Sequence, residues 1–197
     1  WRRVSPAQRT HLLWKLSELI ENDIDYLSVL EVLNQGKTLD LARGLDVMGS
    51  VETLRYYSGW ATKLNGTTNR ISAPDERPGG SVGEAYHAFN TLEPVGVVAA
   101  VVPWNVPLVM AIGKLAPALV AGCTVVLKPA VETPLTTLRL GQLIMEAGFP
   151  PGVVNIVTGS GDVGAALVGH SGIDKVAFTG STATGRAIAA TAGQSLK

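Results

Sequence analysis

The sequence predicts an α/β protein built around a doubly wound parallel sheet. Two short apolar runs, 95–102 and 124–127, are rich in β-branched residues and are typical of strands buried on both faces. The stretch between them, 108–120, is apolar and long enough for a crossover helix, so the three segments predict a parallel βαβ unit. Strand and helix patterns continue to alternate towards the end of the chain, as the doubly wound class requires.

The composition is that of an ordinary globular protein. The chain has 197 residues, of which 46% are hydrophobic and 16% charged, with zero formal net charge. This balance gives no indication of a nucleic-acid or acidic-membrane partner. Pro103, Asn105 and Pro107 interrupt the longest apolar stretch before it reaches the length of a membrane span. The single cysteine, Cys123, excludes an internal disulfide and fits a reducing compartment, which predicts a cytoplasmic protein.

The first third of the chain, residues 1–65, is predicted to be helical. Ser5-Pro-Ala-Gln8 is a capping box with proline at the first helical position, and leucines and isoleucines then recur at helical spacing. Asn22-Asp23 divides this run into two helices, and Gly36 ends the second. A longer helix is predicted over 39–64.

Residues 66–92 form a polar excursion before the α/β core, which we expect over 93–197. Pro74, Pro78 and Gly79-Gly80 lie between short alternating patches, which predicts two strands and an exposed turn. Such a hairpin has too little apolar surface to stand alone, so we expect it to pair with something outside this chain.

The second half of the core continues the alternation. Thr133 is predicted to cap a helix that begins at Pro134 and ends at Gly148. The patterns that follow predict a strand at 153–157, a helix at 162–169, a strand at 175–178 and a helix at 182–192.

Polar residues follow the two central strands at the points where those strands end. Asn105 comes just after the first strand and Lys128 ends the second. Ligands of open parallel sheets bind at the carboxyl ends of the strands, so both residues are predicted to lie at a site. An amide just past a buried strand also needs hydrogen-bond partners or a substrate to satisfy it.

The first glycine-rich loop, GSGDVG at 159–164, matches the GxGxxG pattern between a strand and a helix. A dinucleotide fingerprint usually has an acidic residue at the end of the next strand. Here that strand ends in Thr179-Gly180, and Asp174 precedes it. The loop therefore has two interpretations, a dinucleotide fingerprint or a tight turn.

The second glycine-rich loop, FTGSTATG at 178–185, places a glycine and hydroxyls between a strand end and a helix start. Backbone N–H groups and the helix dipole favour a phosphate at such a position. The alternative is ordinary N-capping of the helix by Ser181 or Thr182.

The remaining reactive side chains do not form a motif. Cys123 lies in the apolar run VAGCTVV, with no histidine or lysine within three residues to activate it, so it is predicted to be a buried hydrophobic residue. His11, His87 and His170 lack cysteine or acidic partners at metal-ligand spacing, so no metal site is predicted.

Four motifs together resemble the NAD(P)-dependent aldehyde dehydrogenase superfamily. They are PWN at 103–105, KPAVETP at 128–134, EAGFPPGVVNIVTG at 146–159 and FTGSTATG at 178–185. Their order and spacing agree with the family across almost the whole chain, which implies a Rossmann-like coenzyme-binding domain. FTGSTATGR, with GAAL upstream, is most similar to the phenylacetaldehyde-type branch.

The resemblance implies oxidation of a small-molecule aldehyde to a carboxylic acid with NAD or NADP. In this family a cysteine thiolate attacks the carbonyl, hydride passes to nicotinamide, and water activated by a glutamate releases the acid. Asn105 matches the amide that helps to hold the oxyanion, where a neutral donor stabilises negative charge without titrating. Residues 66–92 match the region used for subunit contact, which implies a homo-oligomer, either a dimer or a tetramer.

The resemblance also implies which residues bind the coenzyme. Lys128 matches the residue that binds the adenosine ribose, and Gly180 and Ser181 match the pyrophosphate-binding turn, so the family favours the second glycine-rich loop. The other matches are the wall beside the cofactor, Val101, Val102, Pro103 and Trp104, and the turns near the adenine, Gly159 and Gly161.

Two departures from the family pattern affect these expectations. Many members carry a ribose-binding glutamate three residues after the lysine, where this chain has Val131 followed by Glu132. We therefore expect use of both NAD and NADP. The family's glutamate base and nucleophilic cysteine fall beyond Lys197, so the chain is expected to be a coenzyme-binding portion without the catalytic domain. Asn105 is then its one catalytic residue, and the isolated chain should be inactive.

Two other functions remain open at this stage. A relative with the same fold could be an acylating aldehyde dehydrogenase or an acyl-phosphate reductase. A protein of a different class, a non-catalytic assembly or binding module, could retain the fold with a vestigial site.

Overall fold

A four-stranded parallel sheet forms the centre of the molecule. The computed structural model describes residues 1–70 and 86–197. The strands of the sheet are β3 (Val97–Val101), β4 (Thr124–Lys128), β5 (Val154–Ile156) and β6 (Lys175–Phe178), in the spatial order β5-β4-β3-β6. All three pairings are parallel, so the predicted doubly wound α/β class is confirmed. The predicted first strand is shortened to Val97–Val101.

The direction of the chain across the sheet reverses once. From β3 the chain moves outward to β4 and β5, and it then returns to place β6 on the other side of β3. Because crossovers of parallel strands are right-handed, this reversal puts the helices before and after it on opposite faces. The carboxyl ends of β3 and β6 therefore flank the switch point of the sheet, where doubly wound proteins bind ligands.

One face of the sheet is covered by α5 (Pro107–Ala121) and α6 (Leu135–Ala147). Both helices end at a glycine in the left-handed conformation, as the sequence predicted for Gly148. The inner face of α5 carries completely buried residues at helical spacing: Leu108, Ile112, Leu115 and Leu119. This burial makes α5 the main core element on that face.

A layer of N-terminal helices packs on α5 and α6. Its elements are α1 (Pro6–Asn22), α2 (Ile24–Gln35), α3 (Leu39–Leu41), a π-helical segment (Ala42–Met48) and α4 (Gly49–Ser58). The capping box is present, since Gln8 N donates to Ser5 Oγ and Ser5 N donates to Gln8 Oε1. The predicted division at Asn22-Asp23 and the end at Gly36 are confirmed.

The third predicted helix, 39–64, differs from the structure in two ways. A π-helical segment interrupts it at Ala42–Met48, and α4 ends at Ser58. Beyond Ser58 the backbone makes tight turns instead, with Trp60 N donating to Tyr57 O and Lys63 N donating to Trp60 O. In these turns each backbone N–H bonds the carbonyl three residues earlier, whereas in an α-helix it would bond the carbonyl four residues earlier. Helical propensity alone would have continued the helix.

The capping role predicted for Thr133 is wrong. Helix α6 begins one residue later, at Leu135, and its N-cap residue, Pro134, provides no side-chain cap. The hydroxyl of Thr133 is buried instead of bonding the first turn. Asn34 on α2 supplies that bond, because its Oδ1 accepts from Leu135 N at 2.9 Å. A partner a hundred residues away in sequence could not be read from the local motif.

The opposite face of the sheet carries α7 (Gly161–Gly169) and α8 (Thr182–Gly193), which contact each other. Outside the sheet, β1 (Thr68–Asn69) pairs antiparallel with β2 (Ala88–Phe89). The rest of the predicted excursion lies largely in 71–85, outside the described residues. No helix in 1–70 or 86–197 is long and apolar enough to cross a membrane.

Candidate functional site

The carboxyl ends of three strands lie level with one another. Val101 pairs with Lys128 on one side and with Phe178 on the other. The loops that follow β3, β4 and β6 therefore emerge at the same edge of the sheet. Asn105 and Gly180, which belong to two of these loops, share that edge, as the sequence predicted.

A cleft of about 540 Å³ opens between α7 and α8 at this edge. Its volume falls within the usual range of small-molecule sites. The walls are mostly apolar, with one charged side chain, that of Lys128. The lining residues are Val101, Lys128, Gly161, Gly164, Ala165, Val168, Ala183, Thr184, Ala187, Ile188 and Thr191. Three predicted site residues, Val101, Lys128 and Gly161, are thus brought together.

Lys128 supplies the positive charge of the cleft. The residue is only 6% exposed, and its Nζ donates to Pro129 O at 3.0 Å. Burial lowers the pKa of this ammonium, while the carboxylates of Glu132 and Asp162 act to raise it. A lysine has three donors, so the bond to Pro129 leaves Nζ able to hydrogen-bond a ligand hydroxyl or phosphate.

The first glycine-rich loop contributes both a turn and a cleft wall. Gly159 has a φ of +147°, and a Cβ placed on it would lie 2.5 Å from Val163 Cγ2. This residue must be glycine to make the turn. Gly161 and Gly164 face the cleft, where a Cβ on Gly164 would lie 3.5 Å from Lys128 Cδ. The missing side chains therefore give a ligand access to the lysine.

The second glycine-rich loop ends in a capped helix start. Ser181 is the N-cap of α8, with its Oγ accepting from Thr184 N at 3.2 Å, so the capping interpretation is confirmed for Ser181. Gly180 and Ser181 are exposed and do not line the cleft. Ala183 and Thr184, in the first turn of α8, do line it. The N–H groups of the first turn precede the intrahelical ladder and favour an anion.

The loop after β3 carries the other predicted residues. Val102 is buried, Pro103 is half-buried, and Trp104 and Asn105 are exposed. None of them lines the cleft between α7 and α8. The Asn105 amide thus offers a neutral hydrogen-bond donor at the same edge as the cleft but outside it. A single ligand could reach both only if it were extended.

Val131 lies outside the cleft as well. It is 56% exposed in the loop between β4 and α6. The next residue, Glu132, is also exposed, and the charge of its carboxylate raises the pKa of Lys128. The negative charge near the lysine therefore comes from Asp162 and from the position after Val131, not from Val131 itself.

Lys114 reaches the carboxyl edge of the sheet, a position that the sequence analysis did not anticipate. It lies on α5, and its Nζ donates to Thr179 Oγ1 at 2.8 Å, immediately after β6 ends. Burial lowers the pKa of this ammonium. The sequence carried a signal for this residue, because Lys114 is the one charged residue in the otherwise apolar α5. Gly164 was likewise part of a recognised motif but was not assigned to the site.

Cys123 lies at the wrong end of the sheet to act with Asn105. It directly precedes β4, at the amino end of that strand, and it is only 4% exposed. Its predicted burial is confirmed. Within 1–70 and 86–197, no three His, Cys, Asp or Glu residues are grouped to hold a metal ion.

A larger cleft, of about 1020 Å³, lies at the same amino edge as Cys123. Gly96, Thr124 and Asp174, at the starts of strands, line part of it. This edge carries the amino ends of the strands, whereas doubly wound proteins bind ligands at the carboxyl ends. We therefore assign the functional site to the smaller cleft at the carboxyl edge.

Comparisons of sequence and of structure identify the same group of related proteins. The phenylacetaldehyde dehydrogenase of Pseudomonas fluorescens is 51% identical over 100% of this chain and 38% of its own length. Retinal dehydrogenase 2 of Taeniopygia guttata is 49% identical over 99% of this chain and 36% of its own length. The chain thus spans less than two fifths of the length of these relatives.

A solved structure superposes on the whole chain. The NAD⁺ complex of aldehyde dehydrogenase from Bacillus cereus has a TM-score of 0.92 and 46% identity, covering 100% of this chain and 38% of that one. The sequence pattern of the aldehyde dehydrogenase family matches residues 1–197. The chain therefore belongs to the aldehyde dehydrogenase family.

Proposed function

We propose that this chain is the coenzyme-binding portion of an enzyme that oxidises an aldehyde to a carboxylic acid with NAD or NADP. The observation that carries the proposal is the cleft between α7 and α8, which brings Lys128, at the end of β4, together with the first turn of α8, beside the switch point of the sheet. A dinucleotide needs both a hydroxyl-binding group and an anion-binding group in one groove. The relative solved with NAD⁺ supports this choice of ligand.

The residues of the cleft fit such a coenzyme. Val101, Gly161 and Gly164 leave an apolar space that could take a ring. Lys128 would bind ribose hydroxyls, and the turn at Gly180 and Ser181, outside the cleft lining, would offer N–H groups for the pyrophosphate. The remaining predicted contacts, those of Val102, Pro103, Trp104 and Val131, lie on the neighbouring loops. The nicotinamide ring of the bound coenzyme would accept the hydride in the reaction.

The role that we propose for Asn105 is electrostatic. Its exposed amide would donate to the carbonyl oxygen of the substrate as negative charge develops there. A neutral amide can do this at every physiological pH, because its N–H groups do not ionise in that range. Removing one such donor typically costs about 10²–10³ in kcat.

The relatives suggest where to look for the substrate. Phenylacetaldehyde and retinal dehydrogenases match this chain to within about two percentage points of identity, so both arylacetaldehydes and larger apolar aldehydes belong in the first assays. We propose an arylacetaldehyde as the substrate, in agreement with the FTGSTATGR sequence.

We further propose that the protein is cytoplasmic and forms a homo-oligomer, either a dimer or a tetramer. A single buried thiol fits a reducing compartment. The hairpin of β1 and β2 is too short to be stable alone, and Phe89 on β2 is 65% exposed. A second subunit that covers this hairpin would bury that surface.

The proposed function is tested with the full-length protein that contains this chain. NADH or NADPH formation is measured with phenylacetaldehyde, and the organic product is identified. We expect the free acid, with kcat reduced about 10²-fold or more in Asn105→Ala. Asn155→Ala, which removes an exposed amide on β5, is the matched control and should retain full activity.

Other outcomes of this assay decide between the alternatives. Activity only with an acyl acceptor such as coenzyme A, or with an acyl phosphate, would identify the acylating enzyme or the reductase. Coenzyme binding in the absence of any turnover would support a binding module. Failure to bind either coenzyme would refute the proposed site.

A further inference from the structure

Two polar side chains on α2 reach the two loops of the proposed site. Glu31 and Asn34 are three residues apart, so they lie on the same side of the helix. Leu108 N donates to Glu31 Oε1 at 3.4 Å, at the start of α5. Asn34 Nδ2 donates to Glu132 O at 3.0 Å, and Leu135 N donates to Asn34 Oδ1 at 2.9 Å.

Glu31 contacts the first turn of α5, which directly follows the loop that carries Asn105. The segment between β3 and α5 contains only residues 102–106, and Leu108 is in the first turn of α5. A bond to the Leu108 amide therefore fixes the point from which Asn105 projects. The N–H groups of a first helical turn have no intrahelical partner, so an anchoring acceptor is needed there.

The loop that Asn34 contacts follows Lys128. It runs from Pro129 to Pro134 and contains Val131 and Glu132. Asn34 binds a carbonyl and an N–H group on the two sides of Thr133, which is buried. These two hydrogen bonds hold the backbone at Glu132. The negative charge of the Glu132 carboxylate raises the pKa of Lys128.

Glu31 occupies an environment that is costly for a carboxylate. It is completely buried, and the charged groups that face it are Lys37, with its Nζ 3.7 Å from Glu31 Oε1, and Asp46. Lys37 Nζ lies closer to Asp46 Oδ2, at 2.6 Å, so its charge is shared between two acids. The hydroxyl of Thr136 on α6 lies beside Glu31. An apolar side chain could fill the same space without the free-energy cost of burying a charge, so packing alone does not explain a glutamate here.

We infer that Glu31 and Asn34 are positioning residues, through which α2 holds the Asn105 loop and the Pro129–Pro134 loop in register with each other. This inference rests on the proposed function. Neither side chain touches the reacting atoms. Each acts through backbone groups in or directly after a loop, and each loop serves a different part of the reaction. Loss of Glu31 should impair turnover, and loss of Asn34 should impair coenzyme binding.

The test uses the full-length protein and separates these two effects. In Glu31→Ala we expect kcat to fall about tenfold or more, because misplacement of a catalytic group by about 1 Å can cost 10²-fold. The Kd of NAD, measured by calorimetry, should stay within about twofold of wild type. Glu31→Gln keeps an acceptor for Leu108 N and should restore kcat to within a few-fold.

In Asn34→Ala we expect the converse. The Kd of NAD should rise about tenfold, the equivalent of one or two lost hydrogen bonds, while kcat at saturating NAD stays within about twofold of wild type. Asn34→Asp keeps the acceptor for Leu135 N but loses the donor, so its Kd should be intermediate. Glu21→Ala, which removes a half-buried partner of Arg55 remote from both loops in sequence, is the control and should change neither parameter.

A structural role without positioning would give a different result. In that case kcat and Kd would change together in both variants, in proportion to the loss of thermal stability, and this outcome would overturn the inference. Wild-type protein that oxidises no aldehyde would instead refute the proposed function. Amide exchange still decides the inference then: Glu31→Ala should speed exchange at 105–110 only, and Asn34→Ala at 129–136 only. Equal or unchanged exchange in both segments would also overturn it.

Discussion

Replacing Glu31 by glutamine should make the stability of this chain less dependent on pH. Burial, aided by the negative charge of Asp46, raises the pKa of the Glu31 carboxyl from 4.5 to about 7. Lys37, Thr136 and Leu108 oppose this shift but do not cancel it. The folded chain therefore binds the Glu31 proton more tightly than the unfolded chain does. The stability that this proton contributes is complete below pH 4.5 and is lost as the pH rises through 7.

The magnitude follows from the size of the pKa shift. A shift from 4.5 to about 7 is roughly 2.5 pH units, and at 1.36 kcal/mol per unit it corresponds to about 3 kcal/mol. Glutamine resembles the protonated acid in shape and charge but cannot ionise. The free energy of unfolding of Glu31→Gln relative to wild type should therefore increase by about 3 kcal/mol between pH 4.5 and pH 8.

Urea unfolding of the 197-residue chain, followed by tryptophan fluorescence at several pH values, measures this difference. Subtracting the unfolding free energy of wild type from that of the variant at each pH removes the contributions of the other titrating groups. If Glu31→Gln is less stable than wild type at pH 8, the ion pair with Lys37 outweighs the cost of burial, and the reasoning is wrong.

Three further predictions concern the coenzyme and the core. Lys128→Met in the full-length protein should raise the Kd of NAD about ten- to a hundredfold by calorimetry, the value of a charged hydrogen bond, and an unchanged Kd would remove Lys128 from the site. Val131→Glu should raise the preference for NAD over NADP, measured as a ratio of kcat/KM, by about tenfold, since a carboxylate accepts from the 2′-hydroxyl and repels the 2′-phosphate. A strong native preference for NAD that the new glutamate leaves unchanged would mean that Val131 does not set the choice. Leu115→Ala, in the completely buried face of α5, should lower the free energy of unfolding by about 2–5 kcal/mol in urea titrations, and a loss below 1 kcal/mol would contradict the assigned core.

Much of the site could be anticipated because its residues follow strands directly. Asn105 and Lys128 were assigned to one edge from the strand patterns alone, and the parallel register of β3 and β4 confirms that edge. The pattern could not separate the two glycine-rich loops, because each one lies between a strand and a helix. The structure combines them, since Gly161 from one and Thr184 from the other line a single cleft. Their proximity depends on the contact between α7 and α8, which no local motif encodes.

The sequence by itself determined the strands, most helix ends and the class of fold, since these follow from local patterns of apolar residues and from capping residues near each end. The capping box at Ser5 and the glycine at the end of α6 needed no distant partner. Only the tertiary structure decided the contacts between segments remote in sequence. Lys114 reaches Thr179 across 65 positions, and Asn34 replaces the predicted cap at Thr133 from 101 positions away. Such contacts depend on how the helices pack on the sheet, because hydrogen bonds form between groups that are close in space whatever their separation along the chain.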